Sequence, residues 1–216
     1  MVNRPLLALT LLTVAVFVAR GASAQSPLSS DLRGLPWGAS EADVLQLHAD
    51  AILEVYRADI AGLRDPIEVD RRRRATDQRI AAIRDSRVVF DGSRTGYEVS
   101  VVANEVGPGR TDSMLVVRED TNLRYYLFRA DRLERLIVAY DQASMNFVGF
   151  EAFVERIEAV FGGPLSTDWR VDDIGVRHMT RATWNDGVTR VRAEDRSQMF
   201  ATFLLVYGDV AQDDVA

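Results

Sequence analysis

The spacing of apolar residues changes at Arg87, and this change limits the possible folds more than any other feature of the sequence. Before Arg87, apolar residues recur every three or four positions, which is the period of an amphipathic helix. After it they alternate in short runs, and only residues 150–161 return to the helical period. We therefore predict an α+β fold with a mainly antiparallel sheet of about seven or eight strands. About three helices accompany the sheet, two N-terminal and one between the strand groups.

Capping residues indicate where the three helices begin and end. Ser40 is the expected N-cap of the first helix, with Asp43 at its third position, and an apolar stripe runs from there to about residue 62. Asp65 caps the second helix, and Pro66 takes its first position. The third helix ends at Gly162-Gly163-Pro164, because a C-cap glycine followed by proline stops a helix.

Turn residues between the alternating segments predict three hairpins. The first joins residues 87–90 to residues 97–102 through the tip Asp91–Tyr97, which contains two glycines. The second turns at Ala130-Asp131 and the third at Asn185-Asp186-Gly187.

Two predicted strands, residues 123–128 and 133–140, carry large apolar groups on both sides. In residues 123–128, Tyr125 and Leu127 point to one side of the sheet, while Tyr126 and Phe128 point to the other. Strands of this kind are normally covered on both sides, so we expect both near the centre of the sheet.

The N-terminus has the three-part layout of a secretory signal peptide. Arg4 supplies the positive charge, residues 6–18 are mostly apolar, and Ala22-Ser23-Ala24 matches a signal-peptidase site. Cleavage after Ala24 leaves Gln25 at the new N-terminus. The apolar run is shorter than the roughly 18–20 residues that span a bilayer, and no later stretch is long and apolar enough. We therefore predict export to the periplasm of a Gram-negative bacterium, or secretion beyond it, with no transmembrane anchor after cleavage.

Composition then limits the partners and the chemistry. The chain has no cysteine, which excludes disulfides, thiol chemistry and lipid attachment at a cysteine. Its formal charge of −6 becomes −8 without the signal peptide, because cleavage removes Arg4 and Arg20 but no acidic residue. A net acidic chain is a poor match for nucleic acid, which needs a basic surface.

The same features divide the chain into segments. Residues 1–24 are the signal peptide, and residues 25–34 form a flexible lead-in. Residues 35–209 form one domain, or two lobes that meet near residue 145. Residues 210–216 are an acidic tail.

Four consecutive arginines, Arg71 to Arg74, occur in the second helix. Acids stand four positions away, in the pairs Glu68–Arg72, Asp70–Arg74 and Arg73–Asp77, and such pairs stabilise an exposed helix. This interleaving favours a solvated charged surface. A contact with an anionic partner or with the envelope surface is the alternative.

No catalytic constellation, cofactor motif or metal-ligand spacing stands out in the sequence. His48 lies on the apolar stripe of the first helix and is expected in the core. His178 with Asp172 and Asp173 matches no metal motif. The carboxylates of Glu98, Glu134 and Asp141 are the acids that a hydrolase could use, but outward strand positions explain them better.

A few exposed features remain as candidates for recognition. The tip Asp91–Tyr97 carries Arg94 and Tyr97 on a predicted tight turn, so it joins Arg71–Arg74 as a candidate partner surface. Trp37, Trp169 and Trp184 stand near the ends of elements, where aromatic residues usually close the core. Stacking on a carbohydrate or a peptide is the alternative for these tryptophans.

Two resemblances point to exported proteins. The segments LPWGASEADV, FDGSRTGYEVS and FGGP resemble an uncharacterised family of exported Gram-negative proteins with a helix-then-meander layout. The resemblance implies that layout over most of the chain but no activity. More distantly, Gly38, Ser40 and Val44 at the start of the first helix are similar to small outer-membrane assembly lipoproteins, whose lipid-bearing cysteine this chain lacks.

Three hypotheses for function follow. The leading one is a non-catalytic binding or adaptor protein that recognises an envelope protein or another envelope component. The second is a carboxylate-based hydrolase of envelope polysaccharide or peptide. The third is a module that holds an apolar small molecule between helix and sheet.

Overall fold

A computed structural model of the chain describes residues 26–106, 109, 111–146 and 148–213. The longer helices are α1 (Glu41–Ile60), α2 (Pro66–Asp85) and α3 (Phe150–Phe161), and the single-turn helices are α4 (Ser197–Phe200) and α5 (Val210–Asp213). The strands are β1 (Val88–Val89), β2 (Ser113–Arg118), β3 (Asn122–Arg129), β4 (Arg132–Asp141), β5 (Ser166–Val171), β6 (Arg177–Asn185), β7 (Thr189–Asp195) and β8 (Thr202–Asp209). Three 3₁₀ helices span Pro27–Leu32, Tyr97–Val99 and Ala143–Met145.

The eight strands form one antiparallel sheet in the order β1-β2-β3-β4-β8-β7-β6-β5. Each half of the chain contributes helix followed by a four-stranded meander, and the last strands of the two meanders, β4 and β8, pair at the centre. The predicted α+β class, the antiparallel sheet and the three longer helices are confirmed. Because β4 and β8 share a ladder and a core, the two halves form one layer.

All three longer helices pack on the same side of the sheet. Val44 of α1, Ile83 of α2 and Phe150 of α3 belong to one buried cluster with Tyr126 and Phe128 of β3. We call this the helix side.

The opposite side of the first meander is covered by the segment between β1 and β2. Val102 and Val106 pack there against Tyr125 and Leu127 of β3. The prediction that this strand is covered on both sides is confirmed.

The predicted helix ends are found where the caps place them. Ser40 and Asp43 form a reciprocal capping box, in which each residue's side chain accepts the other's backbone N–H. Asp65 accepts the N–H of Ile67, with Pro66 at the first helical position. Gly162 follows α3 at a φ of 80°, a conformation that a glycine adopts without strain.

The first predicted hairpin is wrong. Val88 and Val89 pair with Met114 and Ser113 of β2, and residues 97–99 form a 3₁₀ helix. The physical reason is burial: Val102 fills the second side of the sheet, which a free hairpin would leave uncovered. The hairpins at Ala130-Asp131 and at residues 185–187 are confirmed.

One strand was missed. Strand β5 has no buried residue, and its strand signal is limited to the short alternation of Thr167, Trp169 and Val171 with polar residues. The number of strands agrees with the prediction, because the unpredicted strand β5 replaces the predicted strand at residues 97–102, which does not form.

The lead-in also differs from the prediction. From Ser26 onward it is anchored, because Leu28 and Leu32 of the first 3₁₀ helix are buried in the helix-side cluster. The described part of the acidic tail begins with the helical turn α5. The predicted signal peptide and Gln25 lie outside the described residues. Across the described ranges, no helix combines the length and the apolar character needed to cross a membrane.

The β3–β4 turn provides a test of backbone strain. Ala130 and Asp131 both have positive φ, 48° and 57°, a conformation in which the Cβ atom lies too close to the following carbonyl oxygen. We expect Ala130→Gly to raise the free energy of unfolding by about 0.5–1 kcal/mol, as measured by urea denaturation. The control is Ala159→Gly in α3, which should lower it by about 1 kcal/mol. A loss of stability in Ala130→Gly would contradict the assigned turn geometry.

Candidate functional site

The edge of the sheet formed by β5 is the most exposed part of the fold. All six residues of β5 are exposed, and the strand pairs with β6 on one side only. The β5–β6 hairpin continues through a turn in which Ile174 is 85% exposed. We call residues 166–179 the edge hairpin.

The pairing register fixes which side of the sheet each β5 residue faces. Thr167 is opposite Ala182, which belongs to the helix-side core, so Thr167, Trp169 and Val171 face the helix side. Asp168 is opposite Arg181 and lies with Arg170 on the other side. The bulge in this ladder falls on β6 and leaves the alternation along β5 regular. The edge therefore has a mainly apolar side, which also carries Arg177 opposite Val171, and a charged side.

Local contacts hold the edge hairpin in shape. The Arg177 guanidinium lies 4.9 Å from the centroid of the Trp169 ring, a cation–π contact. At the turn, one carboxylate oxygen of Asp172 accepts the N–H groups of Ile174 and Val176. Its other oxygen is 2.9 Å from Nε2 of His178, and this hydrogen bond lowers the pKa of Asp172. The apolar groups of the tip are thus presented on an ordered turn.

The sequence contained a signal for this surface. Thr167, Trp169 and Val171 alternate with polar residues and precede the turn sequence Asp172-Asp173-Ile174-Gly175. Of the three tryptophans, Trp184 is 2% exposed and donates to the carbonyl of Gly162, and half-buried Trp37 donates to Thr189. Those two close the core as predicted. Trp169, at 41% exposure, does not.

A buried ion network lies on the helix side. The Arg124 side chain, 5% exposed, donates to the Asp31 carboxylate at 2.6 Å and to the Glu119 carboxylate at 3.0 Å. Tyr207 donates its hydroxyl to the other oxygen of Asp31, and Arg33 lies 2.7 Å from Glu119. Burial opposes the charge on Arg124, but Asp31 and Glu119 outweigh it and raise the pKa of the guanidinium. This network joins the N-terminal 3₁₀ helix to β3 and β8.

His48 adjoins this network in the core, as predicted from its place on the apolar stripe. Its Nε2 is 2.9 Å from the hydroxyl of Tyr126, and its side chain is almost fully buried. Burial, followed by the nearby charge of Arg33, lowers the pKa of His48 to about 4. The imidazole is therefore neutral near pH 7.

A cleft of about 1030 Å³ opens between the α1–α2 helix pair and the outer edge of β2. We call it the α-hairpin cleft. His48 and Ile52 of α1, Arg79 and Ile83 of α2, and Arg118 of β2 are among its lining residues. It lies at the end of the sheet opposite to the edge hairpin.

Each member of the arginine run is paired with an acid of its own helix, and the four arginines share two carboxylates. Arg71 and Arg72 bind Glu68, at 2.7 and 3.0 Å, while Arg73 and Arg74 bind Asp70 at 2.6 and 2.7 Å. These hydrogen bonds lower the pKa values of both acids. Two of the three predicted pairs are formed, whereas Arg73 binds Asp70 in place of Asp77. The geometry is that of a charged helix surface.

The predicted tip, Asp91–Tyr97, is a loop that follows β1 and ends at Tyr97, the first residue of the second 3₁₀ helix. Arg94 is exposed, whereas Tyr97 is half-buried and packs edge-on against Tyr125, at 6.4 Å between ring centroids. Glu98 accepts the N–H groups of Thr95 and Gly96, and hydrogen bonds led by Thr95 lower the pKa of Glu98 to about 2. Tyr97 lines the α-hairpin cleft, while Arg94 and Arg71–Arg74 do not.

Two of the three candidate acids for hydrolysis, Glu134 and Asp141, are far apart in the fold. Glu134 and Asp141 stand near opposite ends of β4, about 23 Å apart at the usual rise along a strand. Paired glycosidase carboxylates are separated by at most about 9.5 Å. Burial raises the pKa of Glu134, but Arg129 lies 3.3 Å from its carboxylate. Within the described ranges, no group of three or more His, Asp or Glu side chains is placed to hold a metal ion.

Comparison with known proteins adds no identification. No protein-family model, curated protein or solved structure matches this chain. The resemblance to exported Gram-negative proteins stays a prediction.

The buried histidine predicts a pH-dependent stability. Because the pKa of His48 is about 4 in the folded protein and 6.5 ordinarily, the unfolded chain binds more protons between these values. Its contribution is fully present above about pH 6.5 and is lost as the pH falls toward 4, by about 3 kcal/mol in total.

Denaturant unfolding of the wild type and of His48→Gln from pH 4 to 7 measures this loss. Glutamine keeps an acceptor for the Tyr126 hydroxyl but does not bind a proton in this pH range. The free energy of unfolding of the variant should therefore fall less than that of the wild type as the pH is lowered. His178→Gln, at an exposed position of β6, is the control for removing a histidine. Parallel curves for the wild type and His48→Gln would show that His48 is not buried in the neutral form.

Proposed function

We propose that this chain is a non-catalytic binding protein of the bacterial cell envelope, and that its edge hairpin binds an extended segment of a partner protein. The observation that carries the proposal is β5, an edge strand whose six residues are all exposed. Proteins normally cover, shorten or charge such edges because the unpaired backbone groups recruit another strand. Strand addition to an open edge is a recurrent mode of peptide recognition.

The backbone of β5 supplies the hydrogen bonds for this binding. Asp172 donates its N–H to the carbonyl of Val176 on the β6 side of the hairpin. Since successive N–H groups along a strand point in opposite directions, those of Val171 and Trp169 point away from β6. A partner strand laid along β5 completes the ladder through these groups.

The side chains of β5 define the chemistry of the partner. Trp169 and Val171 offer an apolar surface on the helix side, and Asp168 and Arg170 offer one charge of each sign on the other. A complementary segment is extended, carries an apolar residue opposite Trp169, and has a basic and an acidic residue on either side of it. A second copy of the chain also satisfies this pattern, so self-association is a rival outcome.

The two alternative functions receive unequal support. The separation of Glu134 and Asp141 along β4 rules out these two acids as a catalytic pair, which weakens the hydrolase hypothesis. The small-ligand module has a physical counterpart in the α-hairpin cleft, which lies between helix and sheet.

Export is the first testable part of the proposal. The layout around Ala22 and Ala24 leads us to expect that the protein purified from a Gram-negative host begins at Gln25. N-terminal sequencing of the periplasmic fraction measures this. Ala24→Arg should block cleavage and leave the longer form in the membrane fraction. An intact N-terminus on wild-type protein in the cytoplasmic fraction would contradict export.

Binding through the edge hairpin is the second testable part. A photoreactive benzoylphenylalanine at Thr167 should crosslink a protein in envelope extract, and sequencing of the adduct should place the link in an extended segment. Val171→Pro removes an outward N–H without removing a ladder bond, so it should abolish the adduct. Val171→Ala, which keeps the N–H, is the matched control. The same probe at Arg73 tests the arginine run.

Three results would contradict the proposal. The first is an adduct that survives Val171→Pro. The second is an adduct formed only from the probe at Arg73, which would make the arginine run the interface. The third is a wild-type dimer, measured by light scattering, that becomes monomeric in Val171→Pro, which would assign the edge to self-association.

A further inference from the structure

We propose that the α-hairpin cleft binds a long-chain aliphatic carboxylate, with the chain between the α1–α2 pair and the sheet and the carboxylate at Arg79 and Arg118. This site is separate from the edge hairpin and does not depend on the proposed function. The proposed ligand has one flexible apolar tail and one negative charge.

Apolar residues make up half of the cleft lining and lie on both its helix and its sheet sides. Ala51, Ile52 and Val55 contribute from α1, and Ala82 and Ile83 from α2. Val116, Val117 and Leu123 line it from the sheet. Val55 is 53% exposed although it belongs to the apolar stripe of α1, so this stripe extends past the core into the cleft. The volume of about 1030 Å³ is just above the roughly 300–1,000 Å³ typical of ligand pockets.

The charges lining the cleft favour a single anion. Arg33 is neutralised by Glu119, which also binds Arg124. Arg79 and Arg118 have no ion-pair partner among the described residues, and Asp120 is the one other acid in the lining. His48 is neutral near pH 7. Three arginines against two acids leave one positive charge, in a chain whose net charge is −6.

The open edge of β2 adds a backbone donor near Arg118. Strand β1 covers only Ser113 and Met114, and the N–H of Val116 is taken by Ser86 Oγ at 3.0 Å. Glu119 donates its N–H to the carbonyl of Asn122, toward β3. By the alternation of the strand, the N–H of Arg118 points to the open edge, where the cleft lies. A carboxylate there accepts from this N–H and from a guanidinium, and charge-assisted bonds of this kind are strong.

Isothermal titration calorimetry of palmitate binding to the full-length protein tests the proposal. The titration is kept below the concentration at which palmitate aggregates. We expect palmitate to bind at one site and 1-hexadecanol, which has the same chain without the charge, to bind at least about tenfold more weakly. Acetate, which has the carboxylate without the chain, should show no binding.

Variants locate the site within the cleft. Arg79→Gln combined with Arg118→Gln should weaken palmitate binding by about ten- to a hundredfold. Val55→Asp, at an exposed wall position where folding tolerates a charge, should weaken it by a similar factor. Arg73→Gln is the matched control, because it removes one arginine from the same helix outside the cleft.

Several results would overturn the inference. Failure of palmitate to bind the wild type would remove the ligand class. Equal affinities for palmitate and hexadecanol would show an apolar site without carboxylate recognition. Unchanged affinity in the double arginine variant, or an equal loss in Arg73→Gln, would place the binding elsewhere. None of these results bears on crosslinking at β5, so the two proposals are tested separately.

Discussion

The rest of the structure depends on the ion pairs that the buried guanidinium of Arg124 makes with Asp31 and Glu119. This guanidinium sits on β3 among apolar residues, where an unpaired charge is very unfavourable, so its acidic partners must be held against the sheet. Asp31 is one of them, and Tyr207 on β8 binds the same carboxylate. The N-terminal 3₁₀ helix is thereby fixed across the central strands, and its Leu28 and Leu32 close the helix-side core. Removing one partner of such a pair typically costs about 3–5 kcal/mol.

The two ends of the sheet are finished differently, and this asymmetry places the candidate binding surfaces. At one end, β1 is only two residues long, and the α1–α2 pair leaves a cleft beside the unpaired part of β2. At the other end, β5 is a full edge strand with no buried residue. The helices cover the middle of the sheet, where the core is. Exposed backbone groups and partly covered apolar groups therefore remain at its margins, as expected for recognition by a rigid scaffold.

Local patterns predicted the elements whose stability is local or whose burial follows a simple period. The capping box of α1, the Asp65–Pro66 start of α2 and the Gly162 stop of α3 are set by residues within a few positions of each end. The two sides of β3 could be assigned from alternation alone. Residues 97–102 alternate as well, but they cover the sheet as a 3₁₀ helix and loop because Val102 finds its partners on distant strands. Strand β5 was missed for a different reason: its alternation covers only six residues and none of them is buried, so the pattern is weak.

By itself, the sequence determined the α+β class, the helix ends, two of the three hairpins, and the absence of thiol chemistry, because each follows from residue type and short-range spacing. Only the tertiary structure decided that β4 pairs with β8, that Asp31 reaches Arg124, and that β5 lies at an open edge. It also decided that the arginines of the run pair with Glu68 and Asp70 within α2, whereas Arg79 on the same helix faces the cleft without an ion-pair partner in the described part of the chain. These outcomes depend on contacts between residues far apart in the chain, and no local pattern encodes which distant groups will meet.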